Sequence, residues 1–200
     1  MNIRNLAIGL AFAATAGLAQ EAPKPARNPA AERAAFVQTL QRGKQITAGR
    51  EQYQHLPEVL AVEGKQDETP LQTLAPVGAG SAQVVETKGK LVLYRAAQAK
   101  AALVERVGGS TVYPTVLNLR TGTLGVLTGT LVVKPKSLDD AANIAKQYDL
   151  QTVHEFAHLR TVFYRAKAGV DIADLAAALQ SDSRVESAYP EIIEHVRRPK

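Results

Sequence analysis

Hydrophobic and polar positions follow a regular pattern most clearly in the last part of the chain, residues 128–200. Two runs, at 138–148 and 172–179, carry apolar residues three or four positions apart, which predicts amphipathic helices. Ser137 and Asp171 precede these runs, and either side chain can cap a helix N-terminus. Runs of β-branched and aromatic residues predict strands at 130–134, 151–156, 161–167 and 185–196.

The order of these elements is strand, helix, strand, strand, helix, strand. It predicts an α+β fold in which a four-stranded antiparallel sheet carries two helices on one face, the ferredoxin-like arrangement. The third strand is apolar on both sides, with Val162 and Tyr164 on one face and Phe163 on the other. A sheet covered by helices on one side is normally polar on its other side. We therefore expect the second face to be covered, either by the preceding part of the chain or by a partner protein.

Residues 83–127 show a shorter pattern of the same kind, which predicts a small α+β module ahead of the ferredoxin-like region. Short apolar runs flank turn residues at 87–89 and at 120–122, so we expect two β-hairpins. Between them, the Ala-rich run at 96–107 predicts a short helix that ends at a pair of glycines. The predicted boundary between the module and the C-terminal region falls after residue 127.

The beginning of the chain carries little pattern of folded structure. Residues 1–19 combine an early positive charge, a short apolar run and small residues, which is typical of a signal peptide cleaved after Ala16 or Ala19. The alternative, a membrane anchor, is disfavoured because the apolar run is well short of the ~20 residues that a span needs. We expect a periplasmic or secreted protein with no membrane partner after cleavage. Residues 20–82 are predicted to be mostly disordered or weakly helical, with a faint helical pattern at 31–54.

Composition excludes several functional classes. The 200 residues include no Cys, which rules out a disulfide scaffold, a zinc ribbon, an iron–sulfur protein and a thiol enzyme. The formal net charge of +5 is spread along the chain and Trp is absent, so we expect no nucleic-acid partner. The sequence holds no G-x-S-x-G, P-loop or G-x-G-x-x-G motif, and we expect no cofactor.

One motif is compatible with enzymatic chemistry. His154, Glu155 and His158 form H-E-x-x-H, which on a helix binds zinc through two histidines and uses the glutamate as general base. The neighbouring β-branched residues favour a strand, in which the two histidines stand roughly 13 Å apart, too far to share one zinc ion. The preferred interpretation is a pair of polar surface histidines without a metal. A small zinc metallopeptidase stays as the alternative.

Four segments of the C-terminal region match a known pattern: GTLVVKP at 129–135, AANIAKQY at 141–148, LAAALQSD at 175–182 and RVESAYPE at 184–191. They resemble the inhibitor-type propeptide domain of subtilisin-like serine proteases, whose fold is the same βαββαβ arrangement. Such domains often carry Gly after the first helix, where this chain has Asp149, a residue that tolerates left-handed backbone. Because no protease domain follows, the chain is similar to the ASP external chaperone family. These exported bacterial proteins assist a separately encoded kexin- or subtilisin-like protease.

This resemblance implies a non-enzymatic chaperone and inhibitor that binds one subtilisin- or kexin-like serine protease per chain. The open face of the sheet would pack on the enzyme through Phe163, Tyr189 and Glu191. The tail would lie in the substrate cleft as a cleavage product does; it comprises Glu194, His195, Val196, Arg197, Arg198, Pro199 and Lys200. Its basic residues suit an acidic, kexin-like cleft. Two alternatives stay open: an ordinary frayed basic terminus, and an exported interaction domain for another kind of partner.

Overall fold

The computed structural model describes residues 29–64, 82–97, 103–107 and 109–195. Within these residues the chain forms an α+β fold built on antiparallel strands. The strands are β1 (Gln45–Ala48), β2 (Glu51–Glu63), β3 (Gln83–Lys88), β4 (Leu91–Arg95), β5 (Glu105–Val107), β6 (Ser110–Asn118), β7 (Leu124–Pro135), β8 (Gln151–Phe156), β9 (Thr161–Arg165) and β10 (Val185–Ile193). The helices are α1 (Pro29–Gln38), α2 (Ala141–Gln147) and α3 (Ile172–Gln180). In this part of the chain, no helix has the length and apolar character that a membrane span requires.

The ten strands of the described ranges belong to one sheet, whose main path runs β3-β4-β2-β6-β7-β9-β8. Off this path, β1 pairs with β2, β5 with β6 and β10 with β7, and these pairs are antiparallel. The long strand β7 pairs with β6 near its start and with β9 through residues 130–133. It therefore connects two parts of the molecule. We call α1 with β1–β6 the N-terminal half, and β7–β10 with α2 and α3 the C-terminal half.

The predicted helices and strands of the C-terminal half are present, with ends shifted by a few residues. Asp171 caps α3 as predicted, because its carboxylate accepts hydrogen bonds from two backbone N–H groups of the first turn. Ser137 accepts from the N–H of Asp139 and begins a 3₁₀ turn, so α2 itself begins at Ala141. Asp149 leaves α2 in the left-handed region at φ 54°, as its residue type allows.

The sheet differs from the predicted one in its extent. The pattern predicts a four-stranded sheet, whereas β7–β10 are part of the ten-stranded sheet of the described chain. The β6–β7 hairpin is the reason, since Leu117 pairs with Leu124 and Thr115 with Val126. An unpaired edge on β7 would expose backbone hydrogen-bonding groups, and β6 satisfies them. The predicted boundary after residue 127 falls inside β7, and the division into domains stays a prediction.

Before residue 64, the N-terminal half contains two strands that the pattern does not predict. The faint helical pattern at 31–54 yields a helix only as far as Gln38, and β1 and β2 follow it. Pro57 argues against a strand in the sequence. In the structure it lies where the pairing of β2 with β6 shifts between Leu56 and Leu60, so the ladder tolerates it.

The prediction of a helix at 96–107 is wrong for its last three residues. Residues 105–107 form β5, which pairs with β6, so that Val107 lies opposite Ser110. A Gly pair followed by β-branched residues favours a hairpin over a helix end. Other predicted features lie outside the described residues: 98–102 of this helix, the signal peptide at 1–19, the lead-in to residue 28, the linker at 65–81, and the tail after His195.

Burial differs between the two halves. Residues 59–62 of β2 alternate between two buried hydrophobic clusters, one of which also contains residues of and just after α1. Both faces of the sheet are therefore filled here. In β9, Val162 and Tyr164 are buried in the cluster formed with α2 and α3, whereas Phe163 between them is only half-buried. The helices thus cover one face of the C-terminal half.

Candidate functional site

The outer face of the C-terminal half, opposite α2 and α3, carries a row of apolar and aromatic side chains. The strand register places His154 of β8 beside Phe163 of β9. Val132 of β7 lies beside Phe163 on one side and beside Tyr189 of β10 on the other. Residues paired in this way point to the same face of a sheet. We call these four residues, together with Phe156 of β8, the outer row.

The outer row is accessible along its length. Phe163, Val132 and Tyr189 are half-buried, and Phe156 keeps 41% of its surface exposed. The rings of Phe156 and Phe163 meet edge to face, with their centroids 5.6 Å apart. Within the described chain, none of the buried clusters contains a residue of the row. An accessible aromatic strip of this kind is typical of a protein-binding surface.

Two of the three predicted packing residues belong to this strip. Phe163 and Tyr189 lie in the outer row, on either side of Val132. The third residue, Glu191, accepts a hydrogen bond at Oε2 from the Thr128 hydroxyl at 2.6 Å. Its carboxylate therefore has a partner within the fold, and its contact with an enzyme stays a prediction.

The H-E-x-x-H motif lies on a strand and a turn. His154 and Glu155 belong to β8, and His158 lies in the 3₁₀ turn Ala157–Leu159. The helix that would place both histidines on one zinc ion is therefore absent from these residues. The part of the chain that the structure describes has no group of three or more His, Cys, Asp or Glu placed to hold a metal ion. The rings of His154 and His158 each lie 6.4 Å from that of Phe156, so His158 lies beside the outer row, to which His154 belongs.

The start of the predicted tail is held by the N-terminal half. Glu194 accepts hydrogen bonds at Oε1 from the Tyr53 hydroxyl at 2.7 Å and from the Asn118 side-chain amide at 2.8 Å. The Lys88 ammonium donates to the main-chain carbonyl of Glu194 at 2.8 Å. We call Tyr53, Lys88, Asn118 and Glu194 the tail anchor.

The donors of the tail anchor are fixed by their own surroundings. Lys88 is buried, and its ammonium also donates to the Glu86 carboxylate at 2.8 Å, so its charge is paired. Burial and the hydrogen bond to Glu194 raise the pKa of Tyr53 well above its usual range, which keeps the phenol a donor at neutral pH. The Oδ1 of Asn118 accepts from two N–H groups of the following turn, so its amide nitrogen faces Glu194.

Of the predicted tail residues, the structure describes Glu194 and His195. Glu194 is bound within the fold and His195 is exposed, while residues 196–200 lie outside the described residues. The cleft-binding role of the tail stays a prediction. Sequence reasoning did not find the three partners of Glu194, because they belong to separate strands and meet only when the sheet forms. Val132 and Phe156 were also missed, although the short apolar run at 131–133 was a signal for Val132.

Residues 23–199 match the model of a family described as the open reading frame 2 N-terminal domain. One chain of a solved crystal structure, that of the Aeromonas sobria serine protease (ASP) and the chaperone (ORF2) in complex, aligns with 48% of this chain and 99% of its own length. The identity is 21% and the TM-score 0.37, which does not establish a shared fold. No curated protein sequence matches the chain significantly. Because the family model spans most of the sequence, the chain belongs to the open reading frame 2 N-terminal domain family.

Proposed function

We propose that the chain is an exported, non-enzymatic chaperone and inhibitor of a separately encoded subtilisin- or kexin-like serine protease, bound one to one. Membership of the open reading frame 2 N-terminal domain family supports the chaperone role. The observation that carries the proposal is the outer row. Phe156, Phe163 and Tyr189 give an accessible aromatic strip to a sheet whose opposite face is already filled by helices.

On this proposal, β7–β10 with α2 and α3 are the propeptide-like, ferredoxin-like unit. The neighbour order β10-β7-β9-β8 supports it, as does the packing of both helices into one cluster on one face. A βαββαβ chain that folds in this way keeps its second sheet face free. That free face is the surface we assign to the protease.

A preformed apolar face acts as a chaperone by stabilising whatever partner matches it. Each Å² of apolar surface that the protease buries on the outer row contributes about 25 cal/mol. Because only the folded protease presents the matching surface, binding shifts its folding equilibrium toward the native state. The edge-to-face contact between Phe156 and Phe163 restrains both rings before binding, which reduces the side-chain entropy lost on docking.

Inhibition is assigned to the tail that follows the tail anchor. An extended segment in a protease cleft gains affinity from backbone hydrogen bonds and specificity from side-chain pockets. Lys200 would occupy the first pocket on the acyl side, and Arg197 lies three residues before it. Pro199 restricts the segment to extended conformations, so less entropy is lost when it docks.

A tagged form of the mature chain tests the proposal. The tag stands at the N-terminus, Lys200 is left free, and bound proteins are recovered from the periplasm and medium of the producing organism. We expect a serine protease in equal amount that is inactive until the chain is removed. After denaturation, this protease should regain activity only if the chain is present during refolding and is removed afterwards. Recovery of no serine protease, or of one fully active while bound, contradicts the proposal.

Phe156→Ala and Val84→Ala form a matched pair for the docking face. The two side chains are 41% and 42% exposed, but Val84 lies on β3, at the opposite end of the main strand path. Phe156→Ala should weaken protease binding about tenfold or more, because a buried interface aromatic often contributes about 1–3 kcal/mol, while Val84→Ala should leave it unchanged. Equal effects of the two substitutions would place the docking surface elsewhere. Removal of residues 197–200 should abolish most inhibition and leave part of the binding.

A further inference from the structure

The tail anchor brings three strands of the N-terminal half to one residue at the end of the C-terminal half. Tyr53 comes from β2, Lys88 from β3 and Asn118 from β6. All three donate to Glu194, which directly follows the last residue of β10, Ile193. Both the side chain and the main chain of the first residue beyond the strand are therefore fixed by donors distant in sequence.

Close packing beneath the anchor holds the end of β10 against β7. A Cβ at Gly125 would stand 2.5 Å from Cγ2 of Ile192 and 3.5 Å from Cγ of Glu194. Only glycine leaves room for this approach. Ile192 lies opposite Leu127 in the ladder between the two strands, and it also packs on the main core of the C-terminal half. The end of β10 is thus held against β7 by the packing of Ile192, and at Glu194 by hydrogen bonds.

We infer that the tail anchor is a positioning device that sets the direction in which the chain leaves the sheet, so that the tail reaches the protease cleft while the outer row is docked. The inference rests on the proposed function and assigns a part of it to the N-terminal half. Two contacts with one enzyme reinforce each other only when the connection between them spans the distance in the right direction. Residues 195–200 span at most about 20 Å, so the direction in which they leave Glu194 decides which surface they reach.

A first experiment measures the exit direction without any protease. The chain has no Cys, so H195C and Q151C introduce one pair of spin labels on two exposed residues. We expect a narrow distance distribution between the labels in the parent chain. It should widen at least about twofold in Glu194→Ala and in Tyr53→Phe, the second of which removes one hydroxyl and leaves the packing of the ring in place.

The matched control is Glu186→Ala on β10, the strand that precedes Glu194. Glu186 forms an ion pair with Lys134 at 2.7 Å near the start of β10, so its removal also takes one carboxylate contact from the strand. The distribution should keep its parental width in this variant. An unchanged width in both Glu194→Ala and Tyr53→Phe, or an equal widening in Glu186→Ala, would overturn the inference.

A second experiment uses the serine protease recovered with the tagged chain. Glu194→Ala is made in the full chain and in a chain lacking residues 197–200, and protease affinity is measured for all four forms. We expect a loss of about tenfold in the full chain and no further loss in the shortened one, because the anchor acts through the tail. An anchor that only stabilises the fold would give the same loss in both.

The four forms also separate the two proposals. If removal of residues 197–200 leaves inhibition unchanged, the assignment of inhibition to the tail fails. If that removal abolishes inhibition while Glu194→Ala in the full chain inhibits like the parent, the tail assignment stands and the positioning role of the anchor is wrong.

Discussion

The two halves of the sheet use their faces differently. In the N-terminal half, residues 59–62 of β2 fill both faces, and all four side chains are buried. In the C-terminal half, the same alternation along β9 buries Val162 and Tyr164 and leaves Phe163 half-exposed. Both strands are apolar on both sides, so the difference comes from what the chain supplies as cover. Residues 59–62 of β2 are covered on both faces within the fold, whereas the outer face of the C-terminal half stays accessible.

Two ion pairs, one in each half, differ in burial. In the N-terminal half, Glu58 is 3% exposed and accepts hydrogen bonds from the Gln41 N–H at 2.6 Å and the Arg95 guanidinium at 3.2 Å. Arg95 also lies 5.5 Å from the ring centroid of Phe36, so these contacts join α1 to the sheet. The ion pair between Lys134 and Glu186 in the C-terminal half is exposed and contributes little to stability. Glu58 is therefore a buried charge that is paired within the fold.

The largest expected effect is the loss of stability on truncating a buried residue of the N-terminal half, compared with one on the outer row. Leu56 of β2 is fully buried, and Leu56→Ala should lower the free energy of unfolding by about 3 kcal/mol through lost burial and a residual cavity. Phe156→Ala on the outer row should cost less than about 1 kcal/mol, because the side chain is exposed in the free protein. Urea unfolding of both variants measures the difference. Similar losses would show that the outer row is already covered.

The second effect concerns the buried ion pair. Arg95→Met should lower the free energy of unfolding by about 2 kcal/mol, because it leaves the Glu58 carboxylate buried with fewer donors. Lys134→Met is the matched control, since it breaks an exposed pair and should cost less than about 0.5 kcal/mol. Equal changes in the urea midpoint would contradict the contrast in buried charge.

A smaller effect is expected at the helix-covered face. The Tyr164 hydroxyl donates to the Ala141 carbonyl at 2.9 Å, which joins β9 to α2, so Tyr164→Phe should cost about 1 kcal/mol at neutral pH. Burial, with a smaller contribution from the Glu155 carboxylate, raises the pKa of Tyr164 to about 12. Stability from this group is thus fully present below the unfolded pKa of about 10 and is lost as the pH rises through 12. The parent should lose its advantage over the variant between about pH 10 and 12, and a constant gap in unfolding free energy would contradict this assignment.

The smallest effect lies at the end of α3. Hydrogen bonds from the side chain and N–H of Arg184 hold the pKa of Asp182 well below its usual range, and the Tyr148 hydroxyl adds another. Its stabilising contribution is therefore present above the unfolded pKa of about 4 and is lost as the pH falls below it. Asp182→Asn should lower the urea midpoint at pH 6, and the gap to the parent should narrow as the solution is acidified. A gap that widens in acid would reverse the sign of the assigned pKa shift.

The sequence predicted the C-terminal half because its signals are local. The apolar spacing of α2 and α3 and the cap at Asp171 each lie within a few residues. The prediction of the N-terminal half was poor, because its signals are not local. In β2, Pro57 and the buried Glu58 both argue against a strand, and they fit only because the ladder shifts at the proline and Arg95 arrives from β4. No local sequence pattern around Glu58 indicates that Arg95 will pair with it.

The candidate site also has one part that the sequence predicts and one part that it does not. Phe163 was predicted to face a second surface from the apolar character of both sides of its strand, and the structure leaves it half-exposed there. The tail anchor was not predictable, because Tyr53, Lys88 and Asn118 are separated by long stretches of chain and reach Glu194 only through the register of four strands. Glu194 lies inside the strand that the sequence predicts at 185–196, and no local pattern indicates which donors bind it.

Hydrogen exchange of the chain, alone and bound to the serine protease recovered with it, tests the central claim most directly. The claim is that the protease covers the outer row and contacts the chain beyond the tail anchor. We expect slower exchange on binding in β8, β9 and the end of β10, and unchanged exchange in β3 and β4, which serve as the internal control. New protection confined to β3 and β4, with none in β8 and β9, would contradict the proposal.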